Sequence, residues 1–218
     1  FCPKCKKKIF WYENIPILSY LFLGGKCSKC KKKISSQYLL VETISTISFL
    51  IIYYFFGISL TSILLMILFL SFLIIFFIDL KHYIIPNILT FPMMVLGFVK
   101  SFDPNLNPIF PNYINSLIGG IFGYLIIWTI ILFYKKIRNK EGMGLGDAKL
   151  LAVIGFWFGW ISIPFVIFLS STIALIIVIP DLLKKSKKLS SQIPFGPYII
   201  IGTIAYLLFQ NKFVNLLL

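Results

Sequence analysis

The chain has 218 residues, of which 59% are hydrophobic, 17% aromatic and only 13% charged, with a mean hydropathy of +0.94. Soluble domains carry about 25% charged residues, so the composition excludes an ordinary soluble globule and defines an integral membrane protein. The formal net charge of +14 would suit a nucleic-acid binder, but its distribution along the chain argues against one.

Residues 1–36 form a polar, lysine-rich module with an internal repeat: Cys2-Pro3-Lys4-Cys5-Lys6-Lys7-Lys8-Ile9 and Cys27-Ser28-Lys29-Cys30-Lys31-Lys32-Lys33-Ile34. Two CxxC knuckles separated by 21 residues supply four thiolates, from Cys2, Cys5, Cys27 and Cys30. Four thiolates are the ligand set of a closed tetrahedral zinc site. Two disulfides are the alternative, and a cytoplasmic position argues against them. The flanking lysines are expected to lower the thiol pKa values and to offset the negative charge of the site. A closed site has no open coordination position, so the expected zinc is structural. Between the knuckles, Asn14 to Pro16 and Gly24-Gly25 read as turns. Glu13 belongs to a solvated turn or meets a polar ligand.

Apolar runs follow at about 39–57, 60–78, 85–100, 113–134, 148–160, 161–180 and 197–210, and runs of roughly 20 apolar residues are the signal of a membrane-spanning helix. The third, fifth and seventh are short and the third contains Pro92, so tilt or local bilayer thinning has to absorb the mismatch. With loops assigned to alternate sides, 19 of the 21 Lys and Arg residues share one side, and only Lys100 and Lys212 lie on the other. Positive residues stay cytoplasmic, which places the N-terminal module in the cytoplasm. The charge then orients the chain and meets membrane lipids, and no nucleic-acid role is needed. The outer loop 101–112 is rich in Pro and Asn, with Asp103 as a turn former. A basic loop, 181–197, enters the last helix through Pro194-Phe195-Gly196-Pro197. The expected architecture is an all-α polytopic membrane protein of about seven transmembrane helices. It consists of a cysteine module over 1–36 and a transmembrane domain over 37–218. Because the sequence starts at Phe1 and not at Met, we expect it to belong to a longer native protein.

Two acids stand at the cytoplasmic lip of this arrangement. Asp79, in FFIDLKH, closes the second apolar run, and Asp147, in EGMGLGDAKLLA, opens the fifth. Each has a plain reading, Asp79 as an interfacial acid beside Lys81 and Asp147 as a helix N-cap. Yet a carboxylate is disfavoured by the dipole at a helix C-terminus, and acids at membrane depth are functional candidates by default. Gly142, Gly144 and Gly146 predict an extended approach to Asp147, where another backbone can come close. His82 reads as a solvated residue. Two carboxyl groups close together in a partly dry site do not both ionise easily. The ionised member takes a proton from water while the protonated member polarises a peptide carbonyl. Such a pair cleaves peptide bonds without a metal.

FIDLKHYIIPN, GMGLGDAKLLA and IPFGPY together resemble the type IV prepilin leader peptidases, a family of membrane aspartyl proteases with a Gly-x-Gly-Asp motif. The N-terminal stretch with its two CxxC pairs is similar to the cysteine module of the family's bifunctional bacterial members. The resemblance covers nearly the whole chain, in order. It implies cleavage of the basic leader of prepilins and pseudopilins after a glycine, at the cytoplasmic face of the bacterial inner membrane. By motif match the catalytic aspartates fall on Asp79 and Asp147. It also implies methylation of the new N-terminus with S-adenosylmethionine, for which no residue is assigned. The family pattern has one further N-terminal helix before the cysteines. Glu13, Glu42, Glu141 and Asp181, with Gly144 and Gly146, are the residues expected to meet the substrate. A proton- or cation-coupled transporter using the same acids and a non-catalytic pilus or secretion scaffold are the competing classes. A presenilin-type or signal-peptide-peptidase-type protease is a nearer rival, but its motifs lack the two CxxC pairs.

Overall fold

The computed structural model describes residues 1–2, 5–6, 8–106, 110–138, 143–183 and 193–217; at 138, 180–183 and 210–217 it describes the backbone alone. Its helices are α1 (Leu18–Phe22), α2 (Ser36–Phe56), α3 (Leu60–His82), α4 (Asn87–Val99), α5 (Tyr113–Arg138), α6 (Leu145–Phe158), α7 (Ser162–Leu183) and α8 (Gly196–Leu217). Among the described residues the only extended pairing is a single antiparallel bridge between Lys26 and Lys33. The apolar runs of the sequence fall on α2 to α8. Ser36–Phe56, Leu60–His82, Tyr113–Ile137 and Ser162–Ile179 are long and apolar enough to cross a membrane, while Asn87–Phe102 and Gly196–Phe209 are shorter apolar helices. At 14 residues, α6 spans about 21 Å, less than the ~30 Å of a bilayer core.

The chain divides into two compact units, Phe1–Leu73 and Ile74–Leu218. In the first, the repeated sequence makes a repeated turn. Lys6 N–H donates to the Cys2 carbonyl at 2.8 Å, and Lys31 N–H donates to the Cys27 carbonyl at 3.0 Å. Both lysines adopt the left-handed conformation, with φ of 54° and 55°. Gly25 also has a positive φ, of 66°, and a Cβ there would lie 2.8 Å from the Tyr20 ring. Glycine alone satisfies both conditions.

In the second unit α6 is the core, with residues from Asp147 to Phe158 buried along most of its length and α4, α5, α7 and α8 packed around it. Its closest partner is α5. A Cβ on Gly119 would come within 2.5 Å of the Gly155 carbonyl oxygen, and one on Gly123 within 2.6 Å of the Leu151 carbonyl oxygen. Gly119-x-x-x-Gly123 is the small-residue spacing that lets two helix backbones approach in a membrane. At the C-terminal end of α6, Trp157 donates its indole N–H to the Met93 carbonyl at 2.8 Å. Lys100, placed on the outer side by the charge pattern, is buried. Its Nζ donates to the Trp157 carbonyl at 3.1 Å and sits 3.7 Å from the centroid of the Phe110 ring.

Candidate active site

Asp79 lies in the last turn of α3 and is 4% exposed. The helix ends just beyond it, where Tyr83, with φ 58°, donates its N–H to the Asp79 carbonyl at 2.9 Å. This reversal delivers Ile85 to a buried position ahead of Pro86 and α4. His82 is exposed, in keeping with a solvated residue.

Asp147 is 8% exposed and lies in the first turn of α6, where its N–H donates to the Gly144 carbonyl at 3.2 Å. The N-cap is Gly144, extended at φ −82° and ψ 145°, and not Asp147. The expected extended approach is therefore shorter than three glycines suggested, because Gly146 is already helical. The helix is fixed by its next residues. Ala148, Leu150 and Leu151 are strong helix formers that are fully buried, and their packing carries the helix back across Gly146. An acid in a first turn is also favoured by the positive end of the helix. Gly142 and Glu141 lie outside the described residues.

The third contributor is the start of α8. A helix begins with N–H groups that have no partner of their own, and here each of the first four positions is accounted for. Gly196 N–H donates to Asp79 Oδ2 at 3.0 Å. Pro197 has no N–H to satisfy. Tyr198 and Ile199 N–H both donate to the Phe195 carbonyl at 3.1 Å. A Cβ on Gly196 would stand 2.7 Å from Asp79 Oδ2 and 3.2 Å from Ile85 Cδ1. Ile85 also touches the other acid's turn, since a Cβ on Gly146 would lie 3.0 Å from Ile85 Cβ. The same two segments meet again where Lys149 Nζ donates to Asn87 Oδ1 at 2.8 Å. Two buried carboxyl groups from different helices therefore share one small region, walled by Ile85. Sequence reasoning did not single out Gly196, Ile85, Asn87 or Lys149 as site residues. The first lies in IPFGPY and Asn87 ends HYIIPN, so the motifs held the signal.

Two of the remaining candidates, Gly144 and Gly146, flank the turn of Asp147. Gly144 is exposed and Gly146 partly so. Glu13 accepts the Phe10 N–H at 3.1 Å, within the first unit. Glu42, on α2 of that unit, accepts the N–H of Ile17 at 2.8 Å, and Ile17 has a left-handed φ of 63°. The side chain of Asp181 lies outside the described residues, as does the basic stretch 184–188. Asp103 Oδ1 accepts from the Asn105 backbone and side-chain nitrogens, both at 2.9 Å, a side-chain-closed turn as expected.

The sulfurs of Cys2, Cys5, Cys27 and Cys30 all lie within 4.8 Å of one another, and Cys5 and Cys27 sulfurs are 3.8 Å apart. A tetrahedral zinc with bonds of about 2.3 Å separates its sulfurs by ~3.8 Å, so the donor set fits such an ion. The Cys27 thiol is lowered to about 6, first by the backbone N–H of Cys30 and then by that of Lys29, which favours the thiolate a metal requires.

The fold and the site together define a helical membrane protein with two buried acids facing one region from separate helices. Residues 64–179 match the model of the type IV leader peptidase family, and residues 1–56 match that of the bacterial peptidase A24 N-terminal domain. A prepilin leader peptidase/N-methyltransferase of Pseudomonas aeruginosa is 38% identical over 207 residues, covering 94% of this chain and 70% of the relative. Proteins of the same name from Stutzerimonas stutzeri and Aeromonas salmonicida are 37% and 36% identical, covering 97% and 94% of this chain and 72% and 70% of the relatives. No solved structure matches the chain. The chain belongs to the type IV leader peptidase family. It is an enzyme of the membrane.

Proposed function

We propose that this protein removes the basic leader of type IV prepilins and pseudopilins by an aspartate pair, Asp79 and Asp147, acting at the cytoplasmic face of the bacterial inner membrane. The observation that carries this reading is the burial of both carboxyl groups beside one another in a chain of this family. A pair with one proton between its members does both halves of the chemistry. The ionised carboxylate takes a proton from water, whose oxygen attacks the scissile carbonyl carbon. The protonated carboxyl gives its hydrogen to the carbonyl oxygen. The tetrahedral species then breaks its C–N bond as the departing amine receives the proton taken from water. One of its hydroxyl groups returns a proton to the other carboxylate to leave the carboxylic acid product, and the pair is back to one shared proton.

The substrate suits the location. A basic leader followed by an apolar helix presents its junction at the lip of the bilayer, where α3 ends and α6 begins. In this reading seven helices, α2 to α8, cross or enter the membrane, and the 1–36 module, cytoplasmic and held by a structural zinc on its four cysteines, precedes a 37–218 peptidase domain. Glu13, Glu42, Glu141 and Asp181 meet the leader lysines, and Gly144 and Gly146 admit the substrate backbone. The new N-terminus is then methylated with S-adenosylmethionine, which supplies the methyl group.

Purified protein in lipid vesicles, incubated with a prepilin peptide and followed by mass analysis, tests the proposal. Cleavage after glycine should fall at least about 10³-fold in Asp79→Asn and in Asp147→Asn, and a methyl gain should appear only with the donor present. Undiminished cleavage in either variant would remove the aspartate mechanism.

A further inference from the structure

We propose that Gly196 is a positioning residue of the reaction: its backbone N–H fixes one oxygen of Asp79, and its missing side chain makes the space in which that carboxyl group sits. The inference rests on the aspartate reading above and adds to it a third segment, from the distant end of the chain.

Three observations carry it. The bond from Gly196 N–H to Asp79 Oδ2, at 3.0 Å, is buried, so no water replaces it at low cost. It is also the one N–H of the first turn of α8 that reaches outside its own segment, because Tyr198 and Ile199 turn back on Phe195 and Pro197 has none. Finally, a Cβ at this position would meet Asp79 Oδ2 at 2.7 Å and Ile85 Cδ1 at 3.2 Å. The first contact is with a group that has to stay in place for chemistry; the second is with the apolar residue that also fills the space beside Gly146. Any other residue at 196 thus pushes on Asp79 directly and on Asp147 through Ile85. With Oδ2 held by the backbone, Asp79 keeps a single orientation and leaves its other oxygen to water and to the partner acid. A misplacement of about 1 Å in such a group costs on the order of 10²-fold in rate.

Glycine also occurs at 202 on the same helix, where a Cβ would meet Ser170 Oγ at 2.7 Å, an equal collision away from the acids. This provides the control. Per folded molecule, Gly196→Ala should lower kcat for leader-peptide cleavage about 10²-fold while KM changes less than about threefold; Gly202→Ala should leave both near the parent values and lower only thermal stability. Adding Ile85→Ala to Gly196→Ala should not restore kcat, since the collision with Oδ2 remains. A Gly196→Ala enzyme with kcat within about threefold of the parent, or full rescue by Ile85→Ala, overturns the proposal. If Gly196→Ala does not accumulate folded, hydrogen exchange over residues 193–199 decides: Asp79→Ala should speed exchange there and Asp147→Ala should not, and equal exchange in the two variants overturns it. Loss of cleavage in Asp79→Asn beside an active Gly196→Ala would sink this inference and leave the aspartate reading standing.

Discussion

Ile85 Cβ lies 3.0 Å from the point where Gly146 would carry a Cβ, so the residue before Asp147 is held against the segment that comes after Asp79. The neighbouring glycine of the motif is under no such constraint. A Cβ on Gly144 would sit 3.8 Å from Asp147 Oδ2, an ordinary contact, at a φ of −82° open to any residue. Gly146→Ala should therefore lower kcat/KM for leader cleavage about tenfold or more, and Gly144→Ala by less than about threefold. Cleavage rates normalised to folded protein check this. The opposite order would mean that substrate passing Gly144, more than the fit of Gly146 against Ile85, sets the need for glycine here.

Asp79 serves both the proposed chemistry and the start of α8, and two variants separate these roles. In Asp79→Asn the side-chain amide still offers an oxygen to Gly196 N–H, so the helix start stays capped while the acid is gone. In Asp79→Ala the N–H is buried without a partner, at a cost of about 1–3 kcal/mol. Thermal melting should place Asp79→Asn close to the parent and Asp79→Ala clearly below it, with both inactive in cleavage. An Asp79→Asn protein as unstable as Asp79→Ala would show that charge, and not the hydrogen bond, holds α8.

The seam between α5 and α6 gives a prediction about stability alone. Gly155 faces the backbone of Gly119 so closely that a side chain there collides with the carbonyl of Gly119, and backbone does not move aside as a flexible side chain does. Gly155→Leu should cost about 3 kcal/mol or more, seen as loss of monodisperse protein after detergent extraction. An equally bulky change on the exposed Leu125, such as Leu125→Phe, should be tolerated. If Gly155→Leu extracts normally, the helices do not pack as closely as described.

The sequence made the helices and the two acids legible because both depend on local pattern. Long apolar runs specify helices in lipid, and an acid at the end of one is conspicuous. The cysteine repeat was legible for a similar reason, and its two turns share one backbone conformation. What could not be read was tertiary: that Gly196, more than a hundred residues after Asp79, would donate to it, or that Ile85 would fill the space between two glycines. The burial of Lys100 was not legible either, because one charge at the end of an apolar run gives no sign of the carbonyl and aromatic rings beside it. The Gly119-x-x-x-Gly123 spacing was not singled out in the sequence, and the spacing alone does not name the partner helix.

The four-cysteine cluster yields the last prediction. Its sulfurs fit a zinc with every coordination position filled by protein; such an ion would have no place for water or substrate and would serve to hold the fold. Cys27, buried and with its N–H bonded to the Lys32 carbonyl at 3.0 Å, is the ligand most embedded in the module. Purified parent protein should contain about one zinc per chain by elemental analysis, and Cys27→Ser should lose most of it. Limited proteolysis should then cut within residues 1–36 of the variant while sparing the parent. Leader cleavage per molecule with an intact second unit should stay within about threefold of the parent, as a closed structural site requires. Abrupt loss of cleavage on metal removal, with residues 1–36 still resistant to protease, would place the ion in the chemistry and overturn the structural assignment.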